Sequence, residues 1–249
     1  EMNRRLIGGL ATFHFAATPA NEATLLAERV AASAVFMTGN PVVDALHYIL
    51  ASAPRNPTVA QVLAATANLR RVVLTTHRRE SFGGYMTENL QILRRFVESH
   101  PDVALVFPVH PNPVVVDTTR RVLGQHPRIH LLEPLNYEAF VQLLSDAWLI
   151  VSDSGGVQEE APTLGRPLII LRENTERPES VECGIARLVG PDASRLAEML
   201  EEAYAPDSWA SRATKLTNPF GRGDAGARIV DVIARHLVDA QASLAAAHS

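Results

Sequence analysis

Cysteine and lysine are nearly absent from this sequence. Among its 249 residues, Cys183 is the only cysteine and Lys215 is the only lysine. A single cysteine excludes an intrachain disulfide framework and a metal site built from several cysteines, and it fits a reducing, cytoplasmic setting. Because no Gly-Lys pair exists, a P-loop is excluded. No motif surrounds Lys215, so Schiff-base and pyridoxal chemistry are not expected either.

The sequence also lacks the features of a nucleic-acid-binding or membrane protein. Its 27 acidic residues outnumber its 23 lysine and arginine residues and give a formal net charge of −4, whereas a nucleic-acid-binding face needs a basic stripe. No apolar run reaches the length of a membrane span, and no signal peptide is visible. We therefore expect neither a nucleic-acid partner nor a membrane partner.

Short β-branched runs alternate with amphipathic segments from about residue 72 onward. The runs cover residues 72–76, 103–109, 129–132, 148–151 and 168–171. Continuous apolar runs of this length are typical of strands buried on both faces. Between them, apolar residues recur at helical spacing, as in Leu196, Met199 and Leu200. This alternation predicts an α/β fold with a doubly wound parallel sheet.

The first forty residues differ from the rest of the chain. Residues 35–37 resemble a strand, but residues 1–15 show no clean alternation. A proline-rich loop at 53–57 precedes a predicted helix at about 59–68. We expect residues 1–40 to be part of one domain and residues 41–217 to form a complete second domain. Residues 218–249 then form a loop and a last helix, at about 224–240, that could pack on either domain.

Polar residues follow each of the five apolar runs. In open parallel sheets, ligands bind beyond the carboxyl ends of the strands. The segments at those ends are THRRE at 76–80, HPNP at 110–113, EPL at 133–135, SDSGG at 152–156 and, after Arg172, TERPE at 175–179. Five strands contributing polar groups to one edge indicate a ligand site there.

The segment after the fourth run has the clearest physical interpretation. Gly155 and Gly156 allow a close backbone approach, and a helix is predicted to begin near Val157. A helix start offers free N–H groups and partial positive charge, which suit a phosphate. The carboxylate of Glu160, about one turn further on, could accept the hydroxyls of a ribose. The alternative is that Ser154 is a helix cap, with acidic residues in the first turn.

Two further side chains at the strand ends have alternative roles. The Arg177 guanidinium could fork onto phosphate oxygens, or it could pair with Glu176 or Glu179. His77 could act as a proton donor or as a charge partner for a diphosphate, or it could be a hydrogen-bonded histidine at a strand end.

Other candidates have a weaker functional signal. His110 lies between prolines, so a rigid turn explains it as well as a functional role does. Phe140 could be a core aromatic or could cover a base. The run GRGDAG at 221–226 matches the dinucleotide pattern G-x-G-x-x-G, but no strand precedes it. We interpret this run as a loop that leads into the last helix.

Together these motifs resemble the non-hydrolysing UDP-N-acetylglucosamine 2-epimerases. The resemblance is carried, in order along essentially the whole chain, by TGN at 38–40, HRRE at 77–80, SDSGGVQEEAP at 152–162, TERPE at 175–179 and NPFG at 218–221. The resemblance implies a GT-B-type pair of Rossmann-like domains with the substrate between them. Residues 1–40 would be a remnant of the N-terminal domain, and residues 41–217 the C-terminal, UDP-binding domain.

The resemblance also implies an activity and a set of site residues. UDP-GlcNAc and UDP-ManNAc would interconvert by anti elimination of UDP to a glycal and its re-addition, without a metal or another cofactor. The full-length protein would be a homodimer. The implied residues are His77 at the reaction centre; Ser154, Gly155, Gly156, Glu160 and Arg177 around UDP; Phe140 and the Leu135 backbone along the base; and Arg4 and Arg78 as further substrate contacts.

Two departures from the family pattern bear on activity. Some relatives have glutamine where Leu135 stands, so only a backbone contact carries over. The family's catalytic carboxylates precede Glu1, so this chain is expected to bind UDP without turnover. The alternatives are a GT-B glycosyltransferase that uses a UDP-sugar, and a non-catalytic UDP-binding domain.

Overall fold

The computed structural model describes residues 2–76, 84–190 and 192–247. The chain divides into two compact units. Unit 1 comprises Glu1–Tyr48 with Phe220–Ser249, and unit 2 comprises Ile49–Pro219. Within the described ranges, no helix has the length and apolar character needed to cross a membrane.

Helices and strands alternate along most of the chain. The helices are α1 Met2–Leu10, α2 Pro19–Ala27, α3 Pro41–Ser52, α4 Pro57–Ala65, α5 Gly84–Ser99, α6 Pro113–Leu123, α7 Tyr137–Ser145, α8 Gly155–Leu164, α9 Pro178–Glu182, α10 Ser194–Tyr204 and α11 Ala225–Ala247. The strands are β1 His14–Ala16, β2 Val35–Met37, β3 Arg70–Thr75, β4 Val103–Pro108, β5 Ile129–Leu132, β6 Leu149–Ser152, β7 Leu168–Ile170 and β8 Ala186–Leu188. Short 3-10 helices span Ala32–Ala34 and Ala210–Lys215.

Unit 1 contains a two-stranded parallel sheet. Strand β2 was predicted, whereas its partner β1 was not, because three residues are too few to show an alternating pattern. The two strands pair from His14 opposite Val35 to Ala16 opposite Met37. The ring of Phe36 lies 5.9 Å from that of Phe13 and 5.5 Å from that of His236 on α11. The last helix therefore packs with the N-terminal strands.

Unit 2 is built on a six-stranded, all-parallel sheet with the strand order β5-β4-β3-β6-β7-β8. The predicted α/β fold with a doubly wound parallel sheet is confirmed. Successive strands run outward in one direction from β3 to β5 and in the other from β6 to β8. The order therefore reverses between β3 and β6, where Thr75 lies opposite Ser152. That crevice is where open α/β sheets bind ligands.

The sheet is covered on both faces, which explains its continuous apolar strands. Along β3, Val72 and Leu74 belong to one buried cluster and Val73 belongs to the other. Helices α5 and α10 cover the first face, and α7 and α8 cover the second. Strand β8 was missed in the sequence because only Ala186 of its three residues is buried. Such an edge strand lacks the apolar run that marks the others.

The glycine-rich run at 221–226 is a loop that leads into α11, as the sequence indicated. Helix α11 begins at Ala225, and the Asp44 carboxylate accepts hydrogen bonds from the N–H groups of Ala225 (3.2 Å) and Gly226 (2.9 Å). Gly223 has a φ of 87°, and a side chain there would meet the His47 ring at 2.4 Å. Backbone conformation and packing thus require this glycine.

We predict that Asp44→Ala destabilises unit 1 by about 1–2 kcal/mol. The change leaves two helix-start N–H groups without their carboxylate, and helix caps contribute free energies of this size. Urea unfolding followed by circular dichroism measures the effect. As a control, Asp231→Ala removes an exposed α11 carboxylate that pairs with Arg235 and should cost less than about 0.5 kcal/mol. Equal losses in both variants would rule out a capping role for Asp44.

Candidate functional site

Three buried side chains connect the strand ends at the crevice between β3 and β6. The Thr76 hydroxyl donates a hydrogen bond to the Asp153 carboxylate at 2.7 Å. The Nε of Arg172, which follows β7, donates to the Asp153 carbonyl oxygen at 2.6 Å. All three residues are buried. Because each bond joins a different pair of strand ends, the residues that follow β6 are held in a fixed position.

Helix α8 begins at the crevice with its backbone donors unmatched by a side-chain cap. It starts at Gly155, two residues earlier than the predicted start near Val157. Ser154 is the N-cap residue, but its side chain makes no capping bond, and the first turn carries no acidic residue. The serine-cap alternative therefore does not explain this segment. The first N–H groups of the helix and its positive end suit an anion.

The two glycines of α8 have different surroundings. A side chain at Gly155 would meet Nη1 of Arg177 at 3.0 Å, so the glycine makes room for that guanidinium. A side chain at Gly156 would meet nothing closer than 3.9 Å, and Gly156 is exposed. A side chain at 155 would therefore need the Arg177 guanidinium to shift, while the open space lies over Gly156.

Arg177 lies beside the start of α8 and pairs with acidic side chains. Its Nε is 2.5 Å from Oε1 of Glu159, and its Nη1 is 3.3 Å from Oε2 of Glu176. The pairing with Glu176, which the sequence offered as the alternative to a phosphate contact, is present, and Glu159 is a partner that the sequence reasoning missed. A guanidinium has five N–H donors in a fixed fork, so these ion pairs and a phosphate contact are compatible.

A hydrogen-bonded bridge holds the Arg177 segment against α8. The Thr175 hydroxyl donates to Oε1 of Gln158 and accepts from the backbone N–H of Arg177 at 3.0 Å. Gln158 in turn donates to the Ser154 carbonyl at 3.2 Å. The strand ends after β6 and β7 are therefore joined directly, and Arg177 is positioned through its backbone as well as its side chain.

Glu160 is a buried carboxylate with one unmatched oxygen. Its exposed fraction is 6%. The Tyr137 hydroxyl donates to Oε1 at 2.9 Å, whereas Oε2 is buried without a hydrogen-bond partner among the described residues. Burial raises the pKa of the Glu160 carboxyl; the Tyr137 hydrogen bond opposes this shift, and the charge of Glu159 adds to it. A buried acceptor left unmatched is costly, which is typical of ligand sites.

The start of helix α7 lies at the same edge of the sheet. Asn136 caps α7 by accepting a hydrogen bond from the N–H of Ala139 at 3.0 Å. Leu135 and Phe140 are both half-buried and pack against the apolar cluster beneath α7 and α8. Phe140 is therefore partly a core residue, with part of its ring accessible. Tyr137, which the sequence reasoning missed, is the first residue of this helix.

The remaining candidates lie elsewhere or outside the described residues. His77 and Arg78 fall in the range 77–83, which lies outside them. Arg4 belongs to unit 1, where its Nη1 donates to Glu28 at 2.9 Å. His110 is exposed, and its Nδ1 accepts from the N–H of Asn112, the residue that caps α6. The turn interpretation of His110 thus has a direct structural counterpart. Over the described ranges, no three His, Cys, Asp or Glu side chains are grouped to hold a metal ion.

The strand order and the helix start at the crevice define a Rossmann-like α/β domain of the GT-B type. The chain belongs to the UDP-N-acetylglucosamine 2-epimerase family, whose family model matches residues 1–234. The predicted family is therefore confirmed.

Individual relatives agree with this assignment. A UDP-N-acetylglucosamine 2-epimerase of Escherichia coli O157:H7 is 40% identical over 238 residues, which are 94% of this chain and 63% of the relative. A structure described as the S. aureus MnaA–UDP co-structure has a TM-score of 0.89 at 34% identity, covering 95% of this chain and 64% of that one. The UDP-GlcNAc 2-epimerase of Neisseria meningitidis bound to UDP-GlcNAc has a TM-score of 0.85 at 34% identity, covering 94% and 64%. The chain thus spans just under two thirds of the length of these relatives.

We predict that Glu160→Gln stabilises the ligand-free protein at neutral pH. Since the folded-state pKa of Glu160 is raised, the unfolded state loses its proton first as pH rises. Native stability therefore falls through the window above the ordinary glutamate pKa of about 4.3. Glutamine carries no charge to bury, and its amide oxygen can accept the Tyr137 hydrogen bond.

The measurement is urea unfolding of both proteins between pH 5 and pH 8. The advantage of the variant should grow with pH and level off above the folded-state pKa. Glu198→Gln, an exposed change beyond the first turn of α10, is the control and should leave stability nearly unchanged at every pH. A pH-independent difference would show that charge burial is not the cause.

Proposed function

We propose that this chain binds UDP at the start of α8, and that the protein to which it belongs interconverts UDP-GlcNAc and UDP-ManNAc. One observation carries the proposal: a buried carboxylate with an unmatched oxygen lies one turn beyond an uncapped, glycine-led helix start with an arginine beside it. Relatives at 34% identity that are described with UDP or with UDP-GlcNAc support it.

The proposed pose assigns each part of UDP to a different element. The diphosphate contacts the N–H groups of Gly155 and Gly156 together with the Arg177 guanidinium, because both groups favour negative charge. The ribose hydroxyls donate to Glu160, which lies one turn further along the same helix. The uracil lies along the backbone of Leu135 and against the accessible part of Phe140.

This arrangement suits an elimination in which UDP is the leaving group. When the C2 proton is removed and the C1–O bond breaks, its electron pair stays on the β-phosphate oxygen and a glycal forms. Re-addition of UDP after protonation of the other face of C2 gives the epimer. Arg177 and the start of α8 would stabilise the charge that grows on UDP, since electrostatic stabilisation acts where charge develops. Elimination and re-addition transfer no hydride, so this route uses no nicotinamide.

Several predictions from the sequence stay proposals within this function. His77 is proposed at the reaction centre, and Arg78 and Arg4 as further substrate contacts, on the strength of the family pattern alone. The carboxylates that exchange the C2 proton would come from the part of the relatives' length that this chain does not span. We also propose that the full-length protein is a homodimer and lies in the cytoplasm. The single cysteine supports the cytoplasmic location.

We predict that Arg177→Ala weakens UDP binding by about 1.5–3 kcal/mol, roughly a 10- to 150-fold increase in Kd. The reason is the loss of charge-assisted hydrogen bonds to the diphosphate. Isothermal calorimetry measures the change. The matched control is Arg187→Ala, which removes a half-exposed arginine that packs over Trp209 and should leave the Kd unchanged. Equal affinity of native protein and Arg177→Ala would remove Arg177 from the site.

We further predict that the 249-residue chain binds UDP but does not exchange the C2 proton of UDP-GlcNAc, whereas the full-length protein exchanges it without any acceptor. Binding without the reacting groups gives affinity but no rate acceleration.

In the full-length protein, His77→Asn should lower turnover by about 10²-fold or more, the usual scale for a positioned acid–base group. Deuterium incorporation at C2 in heavy water, followed by NMR, measures both.

His110→Asn is the control for His77→Asn, because asparagine retains an acceptor for the N–H of Asn112, and native turnover is expected. Exchange by the 249-residue chain alone would place the acid–base groups within it. A requirement for an acceptor sugar would instead identify a glycosyltransferase, and binding without exchange by the full-length protein would identify a non-catalytic domain.

A further inference from the structure

We propose that Tyr137 is a positioning residue, whose hydroxyl orients the Glu160 carboxylate toward the ribose of bound UDP. The proposal rests on the UDP site described above and adds a residue to which none of the sequence motifs assigned a role. It does not make Tyr137 a ligand of the nucleotide; Tyr137 acts through Glu160.

The Tyr137–Glu160 hydrogen bond gives the two carboxylate oxygens different roles. Oε1 accepts from the Tyr137 hydroxyl at 2.9 Å, and Oε2 is the buried oxygen with no partner in the described residues. A carboxylate offers about four lone-pair sites. With Oε1 held by tyrosine, Oε2 is the atom that needs donors, and the neighbouring hydroxyls of a ribose are two donors. A freely rotating carboxylate would have to be ordered by the ligand, at a cost in affinity.

The Tyr137 hydroxyl is a dependable donor. Burial raises the pKa of its phenol above the ordinary value, and the negative charge of Glu160 and the hydrogen bond to it raise it further. Tyr137 therefore stays protonated at any physiological pH and always donates toward the carboxylate. Glu159 on the same helix is a charged neighbour of Glu160, and its charge also raises the Glu160 pKa.

The position of Tyr137 links the proposed ribose and base contacts. Tyr137 is the first residue of α7, and Phe140 follows three residues later. Residues three apart on a helix are neighbours on its surface. The start of α7, fixed by the Asn136 cap, would therefore place both the residue that orients Glu160 and the ring proposed to cover the base. A shift of this helix would disturb the two contacts together.

A purely structural role makes a different forecast. The hydrogen bond joins α7 to α8, so its loss could loosen the contact between these helices in the absence of any ligand. Such loosening would weaken the binding of every nucleotide by the same factor, whether or not its ribose carries hydroxyls. A positioning role affects only ligands whose hydroxyls use Glu160.

The test is Tyr137→Phe, with UDP and 2′,3′-dideoxy-UDP as ligands, by calorimetry on the 249-residue chain. We expect the Kd for UDP to rise roughly 3- to 10-fold, the range for one hydrogen bond. The Kd for dideoxy-UDP, weak in both proteins, should not change. As the pH is lowered, the affinity for UDP should begin to fall at a higher pH in the variant than in the native chain. The reason is that the hydrogen bond that lowers the Glu160 pKa is gone, so the carboxylate takes up its proton sooner.

The matched control is Tyr204→Phe, which removes a hydroxyl that donates to the Asp102 carboxylate at 2.8 Å, next to the amino end of β4. It should change neither Kd. Equal weakening of both ligands by Tyr137→Phe, or no weakening of UDP, overturns the positioning role. Failure of the native chain to bind UDP at all would instead contradict the proposed function. Tyr137 is 44% exposed, and phenylalanine keeps its ring packing, so the variant should fold.

Discussion

The pairing of β3 with β6 is the constraint on which the rest of unit 2 depends. Because the strand order reverses there, the connections on either side leave in opposite directions and open a crevice beyond the strand ends. The Thr76–Asp153 hydrogen bond closes the base of that crevice with buried groups. The residues proposed to touch the diphosphate and the ribose follow strands β6 and β7. Strand β7 pairs directly with β6 in the sheet.

Among the described residues, the start of α8 has no side-chain cap for its backbone N–H groups. A helix start of this kind is usually satisfied by a side-chain cap or by acidic residues in the first turn, and α8 has neither. The nearby Glu160 bears the cost of burial with one oxygen unmatched. Backbone N–H donors and a carboxylate acceptor lie one turn apart on the same helix. This arrangement matches a ligand with phosphates at one end and hydroxyls beside them. The nucleotide proposed to bind here would satisfy both groups.

The sequence predicted those parts of the fold that depend on local pattern. A continuous apolar run indicates a buried strand such as β4, and an apolar stripe indicates an amphipathic helix such as α10. Both elements were therefore predicted. Strands β1 and β8 were missed because three residues, mostly not buried, carry no period. The segment proposed to bind phosphate could be recognised in the sequence because glycines and a helix start are adjacent there. The start of α8 was misplaced by two residues, because glycine is a poor helix former and hid its first turn.

Contacts between segments distant in sequence could not be predicted. Glu159 was overlooked as the partner of Arg177 because the two are 18 residues apart, whereas Glu176 and Glu179 are close neighbours in sequence. Tyr137 and Glu160 are 23 residues apart and meet only because α7 and α8 pack on the same face of the sheet. The one available signal was spacing, since Tyr137 precedes Phe140 by three residues at the start of a predicted helix.

The proposed contacts also differ in what they contribute to catalysis. The ribose lies far from the bond that breaks, so Glu160, oriented by Tyr137, would bind substrate and transition state equally and affect mainly substrate affinity. Arg177 and the start of α8 contact the diphosphate, where negative charge increases as the C1–O bond lengthens. Their interactions strengthen along the reaction and therefore lower its barrier. In the full-length protein, loss of Arg177 should thus reduce kcat, while loss of the Tyr137 hydroxyl should raise KM and leave kcat nearly unchanged.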